Sequence, residues 1–342
     1  MKRYGNLFMN IIDEDNIRAA FYAVRRKKTT RHDILRFESK LDSNLAKIRD
    51  ILLTHSYVPS AYKSKKVYEP KERTIYLLPL NPDKVIHHAV MNVVAPIWQS
   101  MFIYDTYACL EDRGLHAGSS RTSEYVQRND YCLKCDVSKF YASIDHAILY
   151  DIVKRKIKCK DTLELLHKII YSFPGGKNVP IGNYTSQWFG NLYLNELDMF
   201  VKHVLGVKHY VRYCDDFLLF SNDKVFLNDC LHRIRDFLSY KLLLVLSKAD
   251  LFPVSRGVDF LGYRHFRGYK LLRKSTSKKI KRKIREIETS YRNGTLKDYG
   301  AALSTLSSYL GWSRHANSHN FLVSTNLINL VDEIYGETIF RS

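Results

Sequence analysis

The chain has 342 residues, 45% of them hydrophobic, so it is long enough to bury a sizeable core and is not intrinsically disordered. Its formal net charge of +19 predicts a polyanionic partner, and its 24 Tyr and 17 Phe supply rings that can stack on unpaired bases. No apolar run reaches the roughly 18 residues needed to span a bilayer, and the first residues lack a signal-peptide core, so we expect a cytoplasmic protein without a membrane partner.

Helical and strand patterns alternate in the first part of the chain. Apolar residues recur at helical spacing within residues 38–55, and a turn at 70–73 leads into an apolar strand from Thr74 to Leu80. A helix is expected from Asp83 to Ala95, followed by a Gly-containing stretch at 107–118.

The next segments continue this mixture. A strand is predicted at residues 132–137 and an amphipathic helical region at 148–173. Asp145 precedes the second of these, and we interpret it as the cap of a helix that begins near His146. Mixed strands and helices of this kind indicate an α+β fold.

The six cysteines are scattered along the chain, which fits a reducing compartment better than a disulfide framework. Cys132 and Cys135 form a CxxC motif, but no second pair lies at zinc-finger spacing. Residues three apart on a strand point to opposite faces of the sheet and cannot chelate one ion. We therefore interpret these cysteines as structural.

Paired aspartates lie between two apolar runs in the second half of the chain. Asp215 and Asp216 follow the run at 210–211 and precede the run at 217–220, a pattern that predicts a hairpin with both carboxylates at its tip. Such a tip suits two Mg²⁺ ions about 4 Å apart, with Mn²⁺ as a substitute, in a polymerase that joins a 3′-hydroxyl to a triphosphate. A surface turn is the alternative, because Asp is a common turn residue.

A third carboxylate is needed to hold two metal ions, and Asp136 is the candidate because it ends an apolar strand that could pair beside the hairpin. In this arrangement Asp136 bridges both ions, Asp215 shares that work and Asp216 is more peripheral. The predicted catalytic residues are therefore these three aspartates.

The C-terminal part is strongly basic. Twelve Lys or Arg residues lie between residues 264 and 292, while Ile280, Ile284 and Ile287 keep a helical apolar stripe. This pattern predicts a helix whose basic face contacts nucleic-acid phosphates, with a solvated surface helix as the alternative. The residues expected to contact the backbone are Arg273, Lys274, Lys278, Lys279, Lys281, Arg282 and Lys283.

These segments, in this order, resemble the reverse transcriptase family over nearly the whole chain. The Asp136 segment is similar to the first catalytic motif, residues 213–216 to the YxDD motif, and residues 180–187 to the motif that contacts the incoming nucleotide and template. The resemblance adds Val137 to the metal-contacting aspartates. It identifies a primer grip at Phe260, Leu261, Gly262 and Tyr263.

The resemblance implies a right hand of fingers, palm and thumb, with an antiparallel palm sheet that carries the aspartates and a helical, basic thumb. The implied divisions are an N-terminal segment and fingers at 1–100, a first part of the palm at 101–146, a fingers and palm insertion at 147–190, the rest of the palm at 191–266 and the thumb at 267–342.

The resemblance also implies a nucleotide site. Tyr141 would collide with a ribonucleotide 2′-hydroxyl, Arg73 would clamp the triphosphate and Lys248 would protonate or neutralise the leaving pyrophosphate. The alternatives are that Tyr141 is a core aromatic residue, that Arg73 forms a surface ion pair and that Lys248 is an ordinary surface lysine. The remaining nucleotide-binding residues implied are Phe140, Ile181, Gly182 and Gln187.

Within the family, the chain is most similar to reverse transcriptases of diversity-generating retroelements. Gln187 follows Ser186 where group II intron and retroviral relatives usually have Pro, and Ile181 stands where many retroviral enzymes have Gln. Further similarity lies in Glu69-Pro70-Lys71, Tyr107-Ala108-Cys109, Thr185 and residues 271–275.

That subfamily copies a template-repeat RNA into cDNA with frequent errors at adenines, for transfer into a variable gene. The implied partners are a structured retroelement RNA, the cDNA, deoxynucleotides and a small basic accessory variability protein that assembles as a helical barrel. Ile181 suggests a cause of the errors, because a Gln could hydrogen-bond near the nucleotide whereas Ile offers only a contact surface. Simple packing of Ile181 beneath the motif is the alternative.

Two other functions remain open. A defence-associated prokaryotic reverse transcriptase, which makes cDNA from a noncoding RNA, would have a similar palm. A non-catalytic RNA-binding scaffold would be expected to have lost a catalytic carboxylate, but Asp136, Asp215 and Asp216 are all present.

Overall fold

The computed structural model describes residues 2–68 and 72–341, except for the side chains of 338–341. Its mixture of helices and antiparallel sheets confirms the predicted α+β class. The Glu69-Pro70-Lys71 segment of the sequence pattern lies outside the described residues. Within those residues, no helix is both long enough and apolar enough to cross a membrane.

Five helices form the N-terminal part of the main core. They are α1 (Phe8–Ile11), α2 (Glu14–Arg25), α3 (His32–Glu38), α4 (Leu41–Leu53) and α5 (Val85–Gln99). Helix α2 begins after Asp13, whose carboxylate accepts hydrogen bonds from the N–H groups of Asp15 (3.0 Å) and Asn16 (3.2 Å). Helix α4 confirms the helix predicted within 38–55, since Leu45, Ile48 and Leu52 are its buried residues.

Helix α5 begins later than predicted because a buried carboxylate shapes the turn before it. Asp83, predicted to start the helix, accepts hydrogen bonds from the Tyr57 hydroxyl (2.8 Å) and the Ser60 N–H (3.1 Å). It belongs to a π-helical turn at 80–84. The helix then continues past the predicted end at Ala95.

An exposed antiparallel hairpin projects between α4 and α5. It consists of β1 (Lys63–Val67) and β2 (Arg73–Leu77). The predicted strand from Thr74 to Leu80 is thus correct in place but too long, because Pro79, which cannot donate to a ladder, follows closely.

A four-stranded antiparallel sheet lies at the centre of the chain in the order β4-β5-β3-β6. Its strands are β3 (Tyr131–Val137), β4 (His209–Tyr213), β5 (Asp216–Ser221) and β6 (Leu246–Pro253). Cys135 is buried on the face in the main core, whereas Cys132 is buried on the opposite face. Both are free thiols, and burial raises the pKa of Cys135 to about 12. The structural interpretation of the CxxC motif is therefore confirmed.

Helices cover this sheet and connect its strands. They are α6 (Leu115–Arg128), α7 (Phe140–Ser143), α8 (His146–Lys154), α9 (Lys160–Ile170), α10 (Tyr184–Met199) and α11 (Lys224–Lys241). Helices α8 and α9 divide the predicted amphipathic region in two. The Asp145 cap is confirmed, because its carboxylate accepts from the N–H groups of Ala147 (3.0 Å) and Ile148 (3.2 Å).

The C-terminal part contains a small sheet followed by four helices. The strands are β7 (Val258–Phe260), β8 (Tyr263–Phe266) and β9 (Tyr269–Leu272), and the helices are α12 (Lys274–Arg292), α13 (Tyr299–Arg314), α14 (His319–Thr325) and α15 (Leu327–Arg341). The predicted basic helix is α12, and its stripe of Ile280, Ile284 and Ile287 is buried in a separate C-terminal core. The first basic residues, from 264 to 273, belong to the sheet region instead.

His265 gives the fold a predictable pH dependence. The ring is fully buried, with Nδ1 2.9 Å from Ser123 Oγ and Nε2 3.4 Å from the Phe260 carbonyl oxygen. Burial, together with the nearby charge of Lys270, lowers the pKa of His265 to about 4. An unfolded His titrates near about 6.5. The contribution of the neutral His265 ring to the free energy of unfolding is therefore fully present above pH 6.5. It is lost as the pH falls toward 4, because over this range only the unfolded state takes up the proton.

We expect urea to unfold the protein more easily at pH 5 than at pH 7.5, with His265 contributing about 2 kcal/mol of the loss. The His265→Gln variant keeps a neutral side chain that can bond Ser123, so the loss between the two pH values should be smaller. Equal losses in both proteins would contradict this account.

Candidate active site

The register of β3 brings together residues that are far apart in the sequence. Asp136 lies opposite Asp216 of β5 on one side and opposite Lys248 of β6 on the other. Residues directly opposite each other on neighbouring strands share a face of the sheet. The predicted pairing of the Asp136 strand with the hairpin is confirmed.

The hairpin closes in a tight two-residue turn. Tyr213 pairs with Asp216, which leaves Cys214 and Asp215 at the tip. Cys214 adopts a left-handed conformation with φ of 54°, as short hairpin turns require. The Asp215 carbonyl oxygen accepts a hydrogen bond from the N–H of Val137 at 3.2 Å, so the tip is joined to the end of β3.

Side chains of β3 and β6 lie close to two of the carboxylates at this site. Ser247 Oγ donates to Asp136 Oδ2 at 2.6 Å, and Lys134 Nζ lies 3.6 Å from Asp216 Oδ2. Within the described part of the chain, the buried Asp216 Oδ1 has no hydrogen-bond partner. Burial raises the pKa of Asp216 to about 6, Lys134 opposes this, and the charges of Asp136 and Asp215 add to it. The site therefore has an excess of negative charge.

This donor set fits a divalent cation. Carboxylate oxygens are the ligands that Mg²⁺ prefers, Asp216 Oδ1 has no hydrogen-bond partner among the described residues, and the charges of Asp136 and Asp215 act on Asp216. The three side chains do not form a ready ligand set: across residues 2–68 and 72–341, no three His, Cys, Asp or Glu side chains are placed to hold one ion. Metal binding by these aspartates and Val137 stays a prediction.

A buried ion pair supports the hairpin from below. Arg212 and Asp198 are both fully buried, with Arg212 Nε 2.7 Å from Asp198 Oδ1 and Nη2 2.5 Å from Oδ2. Arg212 Nη1 also donates to the Cys214 carbonyl oxygen at 3.1 Å. Tyr210 donates its hydroxyl hydrogen to Asp198 Oδ1 at 2.7 Å. Sequence reasoning missed this pair, although an arginine inside an apolar strand was the available signal.

The segment before α10 packs against the exposed hairpin. The Ile181 carbonyl oxygen accepts a hydrogen bond from the Tyr76 N–H at 2.9 Å. Gly182 has φ of 119°, and a Cβ there would lie 2.6 Å from the Tyr76 carbonyl oxygen. This close approach brings Ile181 and Gly182 together with β2, the strand that begins at the exposed Arg73. Gln187 is exposed on α10.

Tyr141 lies beside α10 and near the tip of the β4–β5 hairpin. A Cβ on Gly190 would lie 3.1 Å from the Tyr141 ring, and the ring centroids of Phe140 and Tyr141 are 5.1 Å apart. Burial raises the pKa of Tyr141, and the nearby charges of Cys214 and Asp215 contribute. The ring is thus close to the tip, as the 2′-hydroxyl contact requires.

Lys248 is exposed and lies 3.0 Å from Asp250, so the ordinary surface lysine proposed as an alternative remains open.

Comparison with known proteins identifies the family. The family model described as reverse transcriptase (RNA-dependent DNA polymerase) matches residues 63–265, more than half of the chain. The chain belongs to the reverse transcriptase family. It is thus an RNA-directed DNA polymerase, and the right-hand fold expected of that class agrees with the central antiparallel sheet.

Individual relatives are distant. Protein YkfC of Escherichia coli K12 is 24% identical over 280 residues, which cover 67% of this chain and 73% of that protein. The group II intron-encoded protein LtrA of Lactococcus lactis is 23% identical over 172 residues, 47% of this chain and 28% of that protein. The structure of telomerase from Candida albicans with a TWJ fragment of telomeric RNA has a TM-score of 0.47 and 14% identity, and it covers 82% of this chain and 61% of the telomerase chain.

The predicted primer grip of this reverse transcriptase is a second tight hairpin. Leu261 and Gly262, with φ of 51° and 83°, form the turn between β7 and β8. A Cβ on Gly262 would lie 2.5 Å from Trp312 Cζ3, so the turn touches α13. A Cβ on Gly118 of α6 would lie 2.9 Å from a Leu261 methyl group.

Lys134 connects this hairpin to the aspartates and was missed by sequence reasoning. Its Nζ donates to the Asp259 carbonyl oxygen at 2.6 Å and lies 5.9 Å from the Phe260 ring centroid, besides facing Asp216. The available signal was its position two residues before Asp136, which places both side chains on the same face.

The basic face of α12 is exposed beside a surface groove of about 660 Å³. Several of the predicted phosphate contacts already have partners. Arg273 pairs with Asp259, Lys283 lies 3.1 Å from Glu286, and Lys281 lies over the Phe321 ring. Nucleic-acid contact by this face stays a prediction, to which the structure adds Arg285.

We expect Asp198→Asn to lower the free energy of unfolding by about 3–5 kcal/mol, because it leaves the buried Arg212 charge uncompensated. Tyr210→Phe is the matched control, since it removes a single hydrogen bond to the same carboxylate and should cost about 1 kcal/mol. Urea unfolding at neutral pH measures both. An equal cost for the two variants would refute the role given to the ion pair.

Proposed function

We propose that this reverse transcriptase copies the template-repeat RNA of a diversity-generating retroelement into error-prone cDNA. The observation that carries the polymerase assignment is the convergence of Asp136, Asp215 and Asp216 at the end of the central sheet. The subtype is supported by Ile181 and Gln187, which depart from the retroviral and group II intron patterns.

The proposed chemistry is nucleotidyl transfer to a primer 3′-hydroxyl. Bound Mg²⁺ would supply activation of that hydroxyl and compensation of the charge on the triphosphate. Asp136, Asp215 and Asp216 provide the oxygen ligands. Arg73 binds triphosphate oxygens through its fork of donors, and Lys248 neutralises the leaving pyrophosphate.

Sugar selection is assigned to Tyr141. Its ring packs against Phe140 and close to Gly190, which has no side chain to displace it. A bulky ring near the tip excludes the additional hydroxyl of a ribonucleotide. The assignment is tested by the amount of ribonucleotide that Tyr141→Ala incorporates relative to the parent protein.

Low fidelity is assigned to Ile181. Its carbonyl oxygen is bound by β2, so the backbone is fixed while the half-buried side chain offers only an apolar surface. Such a surface rejects a misaligned base pair less strongly than a hydrogen-bonding side chain does.

The proposed setting is the cytoplasm of a bacterium or phage-infected cell. All six cysteines are free thiols, in keeping with a reducing compartment. The proposed partners are the structured retroelement RNA, its cDNA and a small basic accessory protein. The second candidate is a defence-associated enzyme that copies a noncoding RNA, because the same palm residues would serve it.

We expect Asp215→Asn to abolish DNA synthesis on a primed RNA while RNA affinity is retained, because the change removes a charge from the metal site and leaves the basic surfaces intact. Asp229→Asn, an exposed position on α11, is the matched control and should remain active. Primer extension and fluorescence anisotropy give the two readouts. Synthesis by Asp215→Asn at the parent rate would refute the metal assignment.

We expect cDNA made from RNA of the protein's own locus to carry errors concentrated at adenines, and Ile181→Gln to reduce them severalfold because the new amide can bond near the nucleotide. Ile181→Leu keeps the apolar surface and should leave the errors unchanged. Deep sequencing of products, with and without the neighbouring small basic protein, measures both. Faithful or repetitive cDNA from the parent protein would favour the defence candidate.

A further inference from the structure

A groove of about 610 Å³ lies between the edge strand β6 and the small sheet β7–β9. Lys248, Asp250 and Phe252 of β6 line one side. Asp250 lies opposite Lys134 in the sheet register, just as Lys248 lies opposite Asp136. The groove therefore opens on the same face of the central sheet as the catalytic aspartates.

One end of the groove begins at the active site itself. Lys134, which lines it, is 3.6 Å from Asp216 Oδ2, and Lys248 is the cross-strand neighbour of Asp136. From there the groove follows β6 away from the catalytic tip toward Phe252 and Arg256.

The lining is strongly cationic. Five of its side chains are Lys or Arg and two are Asp. Asp250 pairs with Lys248, and Asp259 pairs with Arg273. In the part of the chain that the structure describes, neither Arg256 nor Arg264 forms an ion pair with a carboxylate. These two guanidinium groups are available for an anionic ligand.

The arginine geometry depends on a glycine. Gly257 has φ of 82°, and a Cβ there would lie 2.7 Å from Arg264 Nε and 2.6 Å from the Phe266 ring. Without that Cβ, the Arg264 side chain crosses the loop, and its Nη2 donates to the Arg256 carbonyl oxygen at 2.5 Å. The guanidinium also lies 5.4 Å from the Phe266 ring centroid. Arg264 is therefore held in place beside Arg256.

We propose that this groove binds the pyrophosphate released by nucleotide addition, with Arg256 and Arg264 as its principal donors. The proposal rests on the proposed function. In that reaction the primer 3′-oxygen bonds to the α-phosphorus, the bond from that phosphorus to the bridging α–β oxygen breaks, and pyrophosphate leaves with that oxygen while the hydroxyl proton passes to solvent or to the leaving group. Guanidinium forks match phosphate oxygens in geometry and charge.

The groove suits a small anion better than a nucleic-acid strand. Its volume is in the range of single small-ligand sites, and one end is lined by Lys134 and Lys248, the neighbours of Asp216 and Asp136. The exposed basic face of α12, which is predicted to contact strands, lines a separate groove. A path from Lys248 to Arg264 would let the product leave the aspartates before the next nucleotide binds.

The test compares Arg256→Gln/Arg264→Gln with the parent protein by calorimetric titration of pyrophosphate without metal. We expect the double variant to bind pyrophosphate at least about tenfold more weakly, because two charge-assisted contacts are lost. Arg233→Gln, on α11 at the opposite face of the sheet, should bind like the parent. Arg256→Lys/Arg264→Lys keeps both charges and should recover part of the affinity, which separates loss of contacts from misfolding.

Equal pyrophosphate affinity in the parent and the double variant, or no binding by the parent, would overturn the proposal. The proposal would also be overturned if the double variant lost as much affinity for a single-stranded oligonucleotide as for pyrophosphate, because the groove would then bind nucleic-acid strands. Primer extension is measured in parallel. If the variants shift pyrophosphate binding but the parent adds no nucleotide, the polymerase function fails and the anion site stands. If the parent extends primers but no variant shifts binding, only the groove proposal fails.

Discussion

The pairing of β3 with strands on both sides is the constraint on which the site depends. Side chains alternate between the two faces of a strand. A shift of the strand pairing by one residue would therefore move every side chain of β3 to the opposite face of the sheet. Leu133, Cys135 and Val137 are buried in the main core, and this fixes the alternate positions, including Lys134 and Asp136, on the opposite face. Asp136, a predicted catalytic carboxylate, thus owes its position to buried neighbours on its own strand.

The hairpin needs support of a different kind, because its turn holds a non-glycine residue in a left-handed conformation. The Arg212 guanidinium beneath it bonds the Asp198 carboxylate, the Asn191 amide oxygen and the Cys214 carbonyl oxygen, and the Tyr210 hydroxyl bonds the same carboxylate. Buried polar networks are costly unless every member is satisfied, but a satisfied one permits a single arrangement. Apolar packing alone would allow the turn to adopt several similar positions.

Sequence periodicity predicted the elements that bury one regular face, such as α4, the central strand and α12. It failed where burial is irregular. Helix α6 was missed because its sequence is rich in Ser, Thr and Arg, and its Gly118 serves a contact with Leu261 that no local pattern reveals. The carboxylates were predicted from their spacing, whereas Ser247 and Arg212 matter through partners on other elements, Asp136 of β3 and Asp198 of α10. Strand register creates the first contact and packing of a helix on the sheet creates the second, and neither is encoded in a single segment.

The contact between Gly262 and Trp312 couples the turn after β7 to helix α13. A Cβ on residue 262 would lie less than 3 Å from the Trp312 indole. A larger residue at position 262 would therefore require the indole to move or to be replaced by a smaller side chain. The backbone N–H of Arg273, at the start of α12, donates to the Gly262 carbonyl oxygen. Both α12 and α13 are therefore positioned by contacts with Gly262. Chimeras that exchange the C-terminal helices with those of a relative would therefore have to carry this turn along with them.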